Sequence, residues 1–450
     1  MRPTTLLLLC ATFALPTAAS ANELLKVYEQ ALQNDATWQA AQHARDAAVE
    51  AKPQARAALL PQLGANATQS IQESTIHTEG SPSREVPRDE PWSASLNLSQ
   101  SVFDWASIQQ LRQSDDQVAL AETSLRAAAQ NLRLRVAEAY FNVLAAADTL
   151  RSSQDENQAF KRQLELAQAR FEVGLSAITE VQEAQARHDL TNASLIQAQQ
   201  TLDTARSALA EITGAAYQPT ARLQDELPLA APQPADIEAW VKTAQDNNLD
   251  VLGARLAADF ARKGIQVARA GHYPTLDLSA STSVSESSSS NFDPATGTLA
   301  STTDRRTDAD RVALTLNLPL FSGLATQSRV RQAVSTREQR DAEYDGARRL
   351  VERQTRDAYL GVNSGAARVG ALKQAVVSAT TALEAAQSGL EVGTRTFIDV
   401  LNAQQLLSAA QRDYYRSRYD YLLARLRLRQ AGGTLGDADI GMVDGLLVGP

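Results

Sequence analysis

Two fifteen-residue segments of this chain repeat one turn pattern at a fixed spacing. Residues 171–185 read FEVGLSAITEVQEAQ and residues 390–404 read LEVGTRTFIDVLNAQ. Gly174 falls on Gly393, Val181 on Val400, Ala184 on Ala403 and Gln185 on Gln404, all at an offset of 219. The register continues without insertion to Leu209/Leu428 and Gly214/Gly433. A long segment copied without a gap restricts the chain to a duplicated architecture whose copies fill equivalent places. Upstream, Ala31, Asn34, Asp46, Arg56, Pro61 and Leu63 match residues 213 positions later, while Leu96, Val102 and Phe103 match residues 218 later. The step from 213 to 218 falls between two strand-like segments, so the loop joining them is expected to be longer in the second half. Each half reads helix, strand, loop, strand, long helix, turn, helix.

From Trp105 to Arg170 there is no proline or glycine, enough for ~100 Å of helix at ~1.5 Å per residue. Leu111, Val118, Leu125, Leu132 and Ala139 recur every seven residues, as do Ala129, Val136, Val143 and Leu150. After the first turn, Val181, His188, Leu195, Leu202 and Leu209 form a large-residue series, with Ala184, Thr191, Ala198, Ala205 and Ile212 three behind. The second half repeats this with Val400, Leu407, Tyr414, Tyr421 and Leu428 facing Ala403, Ala410, Ser417, Ala424 and Ala431. Sevenfold spacing with large residues against small ones predicts helices packed side by side as in coiled coils.

Four segments alternate with period two, the mark of strands with one apolar face. They are 62–73, 93–103, 276–284 and 312–320. The loops between them, around 77–91 and 290–310, are rich in Ser, Asp, Thr and Pro and are expected to be solvent-exposed. A soluble sandwich would need a second layer, and the rest of each half is committed to helices. Each segment is close to the ~9–11 residues of a membrane strand. Bacterial barrels have about eight strands or more, and an open edge in lipid leaves backbone groups unpaired at several kcal/mol each. Several chains must then share one barrel, and three chains supply twelve strands.

Residues 1–21 have the form of a secretory leader. Arg2 precedes the apolar run Leu6–Leu15, and Ala19-Ser20-Ala21 is a small-residue cleavage site. The only cysteine, Cys10, lies inside it, so no disulfide, thiolate metal site or cysteine nucleophile is expected in the mature chain. His43, His77, His188 and His272 are scattered and form no metal-spaced cluster, so no metal or cofactor is expected. A net charge of −9 argues against nucleic acid. Walker-A, GxSxG and HExxH motifs are absent, which argues against an enzyme.

The segments RFEVGLSAITEV (170–181), YPTLDLSAS (273–281), KQAVVSA (373–379), VGTRTFIDVL (392–401) and AYFNVL (139–144) closely resemble the TolC family of outer-membrane channels. The resemblance covers nearly all of the chain after the leader. It implies a fold that joins an all-α coiled-coil barrel to a membrane β-barrel. The homotrimer would close twelve strands, four per chain, on a long α-helical barrel, each chain carrying an internal two-fold repeat. The first repeat would span 22–235, with strands at about 62–76 and 91–104 and a coiled-coil hairpin at about 105–213. The second would span 236–450, with strands at about 274–290 and 310–322, a hairpin at about 323–431 and a belt segment at 432–450. The implied location is the cell outer membrane, extending into the periplasm. The implied function is the exit duct of a tripartite efflux pump or type I secretion system. The implied partners are outer-membrane lipid, a periplasmic adaptor (membrane fusion) protein and an inner-membrane pump or ABC transporter.

In that family the repeated turns are adaptor-docking tips, which carries over to Gly174, Leu175, Gly393 and Thr394. Arg395 matches an arginine that latches neighbouring helices at a gate, with Thr179 and Glu180 as its expected partners. Asp399 matches a pore-facing aspartate that forms an acidic selectivity ring. Two positions depart from the pattern. Leu390 replaces a gate tyrosine, and Asn402 replaces a second acidic ring. On spacing alone, Arg395 and Asp399 are also a solvated i, i+4 pair worth ~0.3–0.5 kcal/mol. Two other functions fit parts of the sequence. A periplasmic adaptor is also helical and coiled, but it would carry an inner-membrane anchor and no cleanly alternating strands. A trimeric adhesin shares a barrel, but builds it from one C-terminal strand cluster.

Overall fold

A computed structural model describes residues 22–77, 79, 84–293 and 298–449. The leader segment 1–21, with Cys10, lies outside the described residues. In chain order the elements begin with α1 (Glu23–Asn34), α2 (Ala36–Val49), α3 (Ala51–Ala57), β1 (Gln62–Gln69), β2 (Gln72–Ile76), β3 (Arg84–Asp89) and β4 (Trp92–Phe103). The long helix α4 (Trp105–Glu172), α5 (Ile178–Thr213), β5 (Arg222–Leu223), α6 (Ile237–Asn247) and α7 (Leu249–Ala270) follow. The remainder is β6 (Thr275–Phe292), β7 (Leu299–Asn317), α8 (Ala325–Glu391), α9 (Phe397–Ala431), α10 (Asp437–Asp444) and β8 (Leu447–Val448).

The chain divides into two compact units that do not follow the sequence copies. One holds residues up to Gln42, Leu125–Val251 and residues from Arg348 onward; the other holds His43–Ser124 and Leu252–Ala347. Each half of the sequence contributes to both.

The first unit is helical. Its core joins Leu24, Val27 and Ala31 of α1, Leu132, Val136 and Tyr140 of α4, Leu202 and Leu209 of α5, and Tyr421, Leu422 and Leu426 of α9. Leu132, Val136, Val143, Leu202, Leu209, Tyr421 and Leu428 are members of the sevenfold series, and all are buried. The small series is buried at Ala184, Thr191, Ala198 and Ser417, so close approach of the helices follows from short side chains rather than from a wide apolar face. The segment 214–250 and the C-terminal tail meet in this unit, where β5 pairs antiparallel with β8.

A buried polar knot fastens the start of α1 there. The Glu23 carboxylate accepts from the Tyr140 and Tyr217 hydroxyls, each at 3.0 Å, and from the Thr220 and Ala221 backbone N–H at 3.0 and 2.8 Å. Asp444 of α10 accepts from the Leu24 N–H at 2.8 Å. The cap of the first helix thus comes from 420 residues away.

The second unit carries an antiparallel four-stranded sheet in the order β1-β4-β6-β7, with β2 and β3 as a separate hairpin. The segments 77–91 and 290–310, expected as exposed loops, carry strand: β3 lies in the first and β7 begins in the second. The β6–β7 ladder runs from Thr275↔Asn317 to Phe292↔Leu299. Periodicity missed its distal half because side chains there are polar on both faces, as in Ser285↔Thr307 and Glu286↔Arg306. At the other end β7 stops at Asn317, short of the expected 320–322. Pro319 has no N–H to donate, and β6 begins only after Pro274, so no strand lies opposite.

Candidate functional site

The repeated turns have one geometry. Helix α4 ends with Leu175 N–H donating to Arg170 O at 2.8 Å and Gly174 N–H to Phe171 O at 2.9 Å. Helix α8 ends with Thr394 N–H donating to Gly389 O at 2.8 Å and Gly393 N–H to Leu390 O at 3.2 Å. Both are Schellman endings, which need a left-handed residue just past the helix. Gly174 has φ 74° and Gly393 has φ 79°. A Cβ at either position would meet no atom within 4 Å, so the backbone angle, not space, calls for glycine here. The side chains beside them are bare: Val173, Leu175 and Val392 are 68%, 72% and 74% exposed.

The helices that leave the turns are capped unequally. Before α9, the Asp399 carboxylate accepts from the Thr396 N–H and hydroxyl, both at 2.8 Å, and the Thr396 side chain accepts from the Asp399 N–H at 3.3 Å. This is a capping box. The two Thr396 hydrogen bonds, with the nearby Arg395 charge, hold the Asp399 carboxyl below its usual 3.8. The matching positions before α5 are Ala177 and Glu180. Ala177 makes no side-chain cap, and Glu180 Oε2 is buried with no hydrogen-bond partner. Thr396 was legible as a T-x-x-D cap and is the residue that positions Asp399.

Arg395 lies exposed against its own turn. Its backbone N–H donates to Gly389 O at 3.1 Å, and its side chain crosses Gly389 so closely that a Cβ there would overlap it. Among the described residues Arg395 makes no hydrogen bond or ion pair with Thr179 or Glu180 of its own chain. Thr179 is exposed. Leu390 packs against two small apolar clusters, one of Phe160, Leu164, Ala167, Ala184, Phe397 and Leu401, the other around Leu383, Val400 and Leu407. Asn402 is held by Arg187, whose Nη2 donates to it at 3.3 Å while Nη1 donates to Gln405 at 2.7 Å. Nothing in the sequence near Asn402 marks Arg187, which is 215 residues away.

The sheet of the other unit has two unlike faces. Along β7, Val312, Leu314 and Leu316 are 76%, 63% and 66% exposed. The register places Leu276, Leu278, Ala280, Leu98 and Leu63 on the same face. The opposite face carries Asn97, Ser99, Ser279, Ser281, Ser283 and Thr315. On β4 the apolar face is bounded by aromatics, Phe103 at one end and Trp92 at the other, where the indole N–H donates to Glu286 Oε2 at 2.7 Å. From Trp92 to Phe103 is ~36 Å along a strand at ~3.3 Å per residue. Tilted at ~40° that span is ~28 Å high, close to the apolar band of an outer-membrane barrel, about 25 Å with aromatic girdles at both margins. Among the described residues no helix is long and apolar enough to cross a membrane and no acidic, His or Cys cluster could hold a metal.

The sequence profile of a family described as "Outer membrane efflux protein" matches residues 27–215 and again 240–434. The chain is 36% identical over 422 residues to the outer membrane protein TolC of Escherichia coli K12, covering 94% of this chain and 84% of that one. It is 33% identical over 424 residues to the alkaline protease secretion protein AprF of Pseudomonas aeruginosa, covering 93% and 86%. Among solved structures, the outer membrane protein VceC of Vibrio cholerae superposes with a TM-score of 0.73 at 21% identity, over 91% of this chain and 96% of that one. The duplicated hairpins, the two-faced sheet and these matches lead to one conclusion: the chain belongs to the outer membrane efflux protein family, a TolC-like family of efflux and secretion channels, and is an outer-membrane protein that extends into the periplasm.

Proposed function

We propose that three copies of this chain close their sheets into one twelve-stranded barrel and serve as the passive exit duct of a tripartite efflux or type I secretion system, with no catalysis of their own. The observation that carries this is the sheet. Among the described residues, β1 and β7 are the two edge strands of the four-stranded sheet, and one face of the sheet is apolar and open. In lipid such edges leave each backbone group short of several kcal/mol, and neighbouring copies pairing β7 with β1 remove that cost. The inner wall would then be the serine- and asparagine-rich face. On this reading the two hairpins are halves of an internal two-fold repeat, and the partners are a periplasmic adaptor and an inner-membrane pump or ABC transporter. Chemical cross-linking and the mass of the detergent-extracted protein test the assembly: a stable monomer in detergent would refute it.

The turns at Gly174 and Gly393, with Leu175 and Thr394, are the surface we assign to the adaptor. The exposed Val173, Leu175 and Val392 offer apolar contact on a rigid backbone. Changing both glycines to isoleucine puts a β-branched residue at positive φ, which strains only the turn. Efflux is expected to fail while trimers still insert. Unchanged transport in the double variant would place docking elsewhere.

The same turns form the gate. Among the described residues Arg395 has no hydrogen bond or ion pair to Thr179 or Glu180 of its own chain, so we assign its latch to a neighbouring copy. Three Asp399 carboxylates make one acidic ring. Asn402, held by Arg187, adds no charge, and Leu390 adds no hydrogen bond. In planar bilayers Arg395→Ala is expected to raise the resting conductance, and Asp399→Ala to weaken cation preference and block by hexamminecobalt. Because the Asp399 carboxyl is held below 3.8, the block should persist at pH 5. Block that is lost by pH 5 would mean that another group supplies the ring.

A further inference from the structure

Strand β7 carries Arg305 and Arg311 on the face opposite Val312, Leu314 and Leu316, since side chains alternate along a strand. The ladder sets Arg311 across from Ser281 and then Asn97, and Arg305 across from Ser287. Their neighbours on β7 along that face are Ala309, Ala313 and Thr307. Among the described residues of the four strands, the acid on this face is Asp277, which is in register with Thr315, while Asp89 of β3 accepts from the Ser288 N–H and hydroxyl at 3.0 and 2.9 Å, beside Arg305's partner Ser287. Asp277 lies ~13 Å from Arg311 along the strand, beyond the ~8 Å over which charges act at physiological ionic strength. Among the described residues neither arginine makes an ion pair. Arg306, between them and facing the other way, does: it meets Glu286 at 3.7 Å and Asp308 at 3.4 Å. Through Ser281, Arg311 is level with Asn97, about midway between Trp92 and Phe103 on β4, so it lies within the span of the apolar face. Arg305 stands ~20 Å further along the strand.

We propose that Arg311 and Arg305 form a cationic strip that binds multivalent anions on the inner wall of the barrel. The inference rests on the trimeric channel reading, under which threefold symmetry repeats both arginines around one lumen. A wall of short hydroxyl and amide side chains neither neutralises these guanidinium groups nor covers them. Planar guanidinium groups bind sulfate, phosphate and carboxylate through paired N–H donors, and a channel lined by one sign of charge concentrates the opposite ion. The ligand class is a soluble polyanion long enough to touch arginines of different copies, whether passing cargo or a polymer arriving from outside. The sign is opposite to that of the Asp399 carboxylates.

The test is single-channel recording of the purified full-length protein, with dextran sulfate added on the side of the β6–β7 turns and spermine as the polycation control. Dextran sulfate is expected to block wild-type current. Arg311→Gln should raise the half-blocking concentration roughly tenfold or more, Arg305→Gln should raise it less, and the pair together should abolish block. Arg311→Lys should keep block, and spermine block should not weaken in any glutamine variant. Heat-resistant trimers on gels verify assembly of each variant. Conducting wild-type channels that dextran sulfate does not block overturn the anion site and leave the channel reading intact. Equal block in the double glutamine variant also overturns it. Trimers that never conduct overturn the channel reading and the site together.

Discussion

Leu316→Arg is expected to remove the protein from the outer membrane as a trimer, whereas Thr315→Arg, one residue away, is expected to be tolerated. Leu316 is central in the run Val312, Leu314, Leu316, Leu318 and Leu320, every member of which is more than half exposed. Its register partner is Leu276, so the arginine would stand in an apolar row. Leu316 is level with Phe103 through Leu276, toward one margin of the apolar face, so a lipid-facing charge there costs less than the about 2–4 kcal/mol of the midplane, but a trimer would meet that cost in each copy. Thr315 pairs with Asp277 on the other face, where an arginine gains a carboxylate neighbour and meets water. Heat-resistant trimers in outer-membrane fractions, read on gels, measure both. Equal yields from the two variants would show that the apolar face does not touch lipid.

Glu23→Ala is expected to give the largest loss of stability of any single change outside the sheet. It strands the Tyr140 hydroxyl and the Ala221 N–H, both buried, at about 1–3 kcal/mol each, with the Tyr217 and Thr220 donors weakened besides. Asp444→Asn should cost far less, because the amide oxygen can still accept from the Leu24 N–H and a buried charge is removed. The pH dependence follows from Glu23. Burial pushes its carboxyl up, but the Thr220 and Ala221 N–H groups and the Tyr140 and Tyr217 hydroxyls outweigh that and hold it below 4.5. A lowered folded-state pKa means that the stabilisation is complete above the unfolded value near 4.5 and is lost as pH falls through the folded one. Asp444 acts in the opposite sense. Burial raises its pKa, so its ionisation opposes folding as pH rises above the usual carboxylate value. Thermal melts of wild type and Glu23→Ala between pH 3 and 7 test this. The gap between them should be widest at pH 7 and narrow on acidification, and a gap independent of pH would remove Glu23 as the cause.

Much of this molecule could be read from local chemistry. Gly174 and Gly393 stand where a helix end turns through positive φ, and few other residues tolerate that angle. The sevenfold series placed Leu132, Leu202, Tyr421 and Leu428 in helix interfaces because a helix surface repeats nearly every seven residues whatever surrounds it. Alternation placed Leu96, Leu278 and Leu314 on one face of a sheet for the same kind of reason. Tertiary structure decided what period and spacing do not encode. The β6–β7 hairpin continues past its apolar stretch, since backbone hydrogen bonds extend a ladder even where both faces are polar. The Glu23 carboxylate gathers donors from α4 and from the segment after α5, and only the folded core brings these together. Asn402 is held by Arg187 across two helices, a contact that depends on how the hairpins pack. Of the two repeated acids after the turns, the sequence set both at equivalent positions and set threonine before one and alanine before the other. Only the folded chain shows the consequence: the Asp399 carboxylate is held in a cap, while Glu180 keeps a buried oxygen without a donor, because a hydrogen bond needs both the right residue and a backbone that brings it within reach.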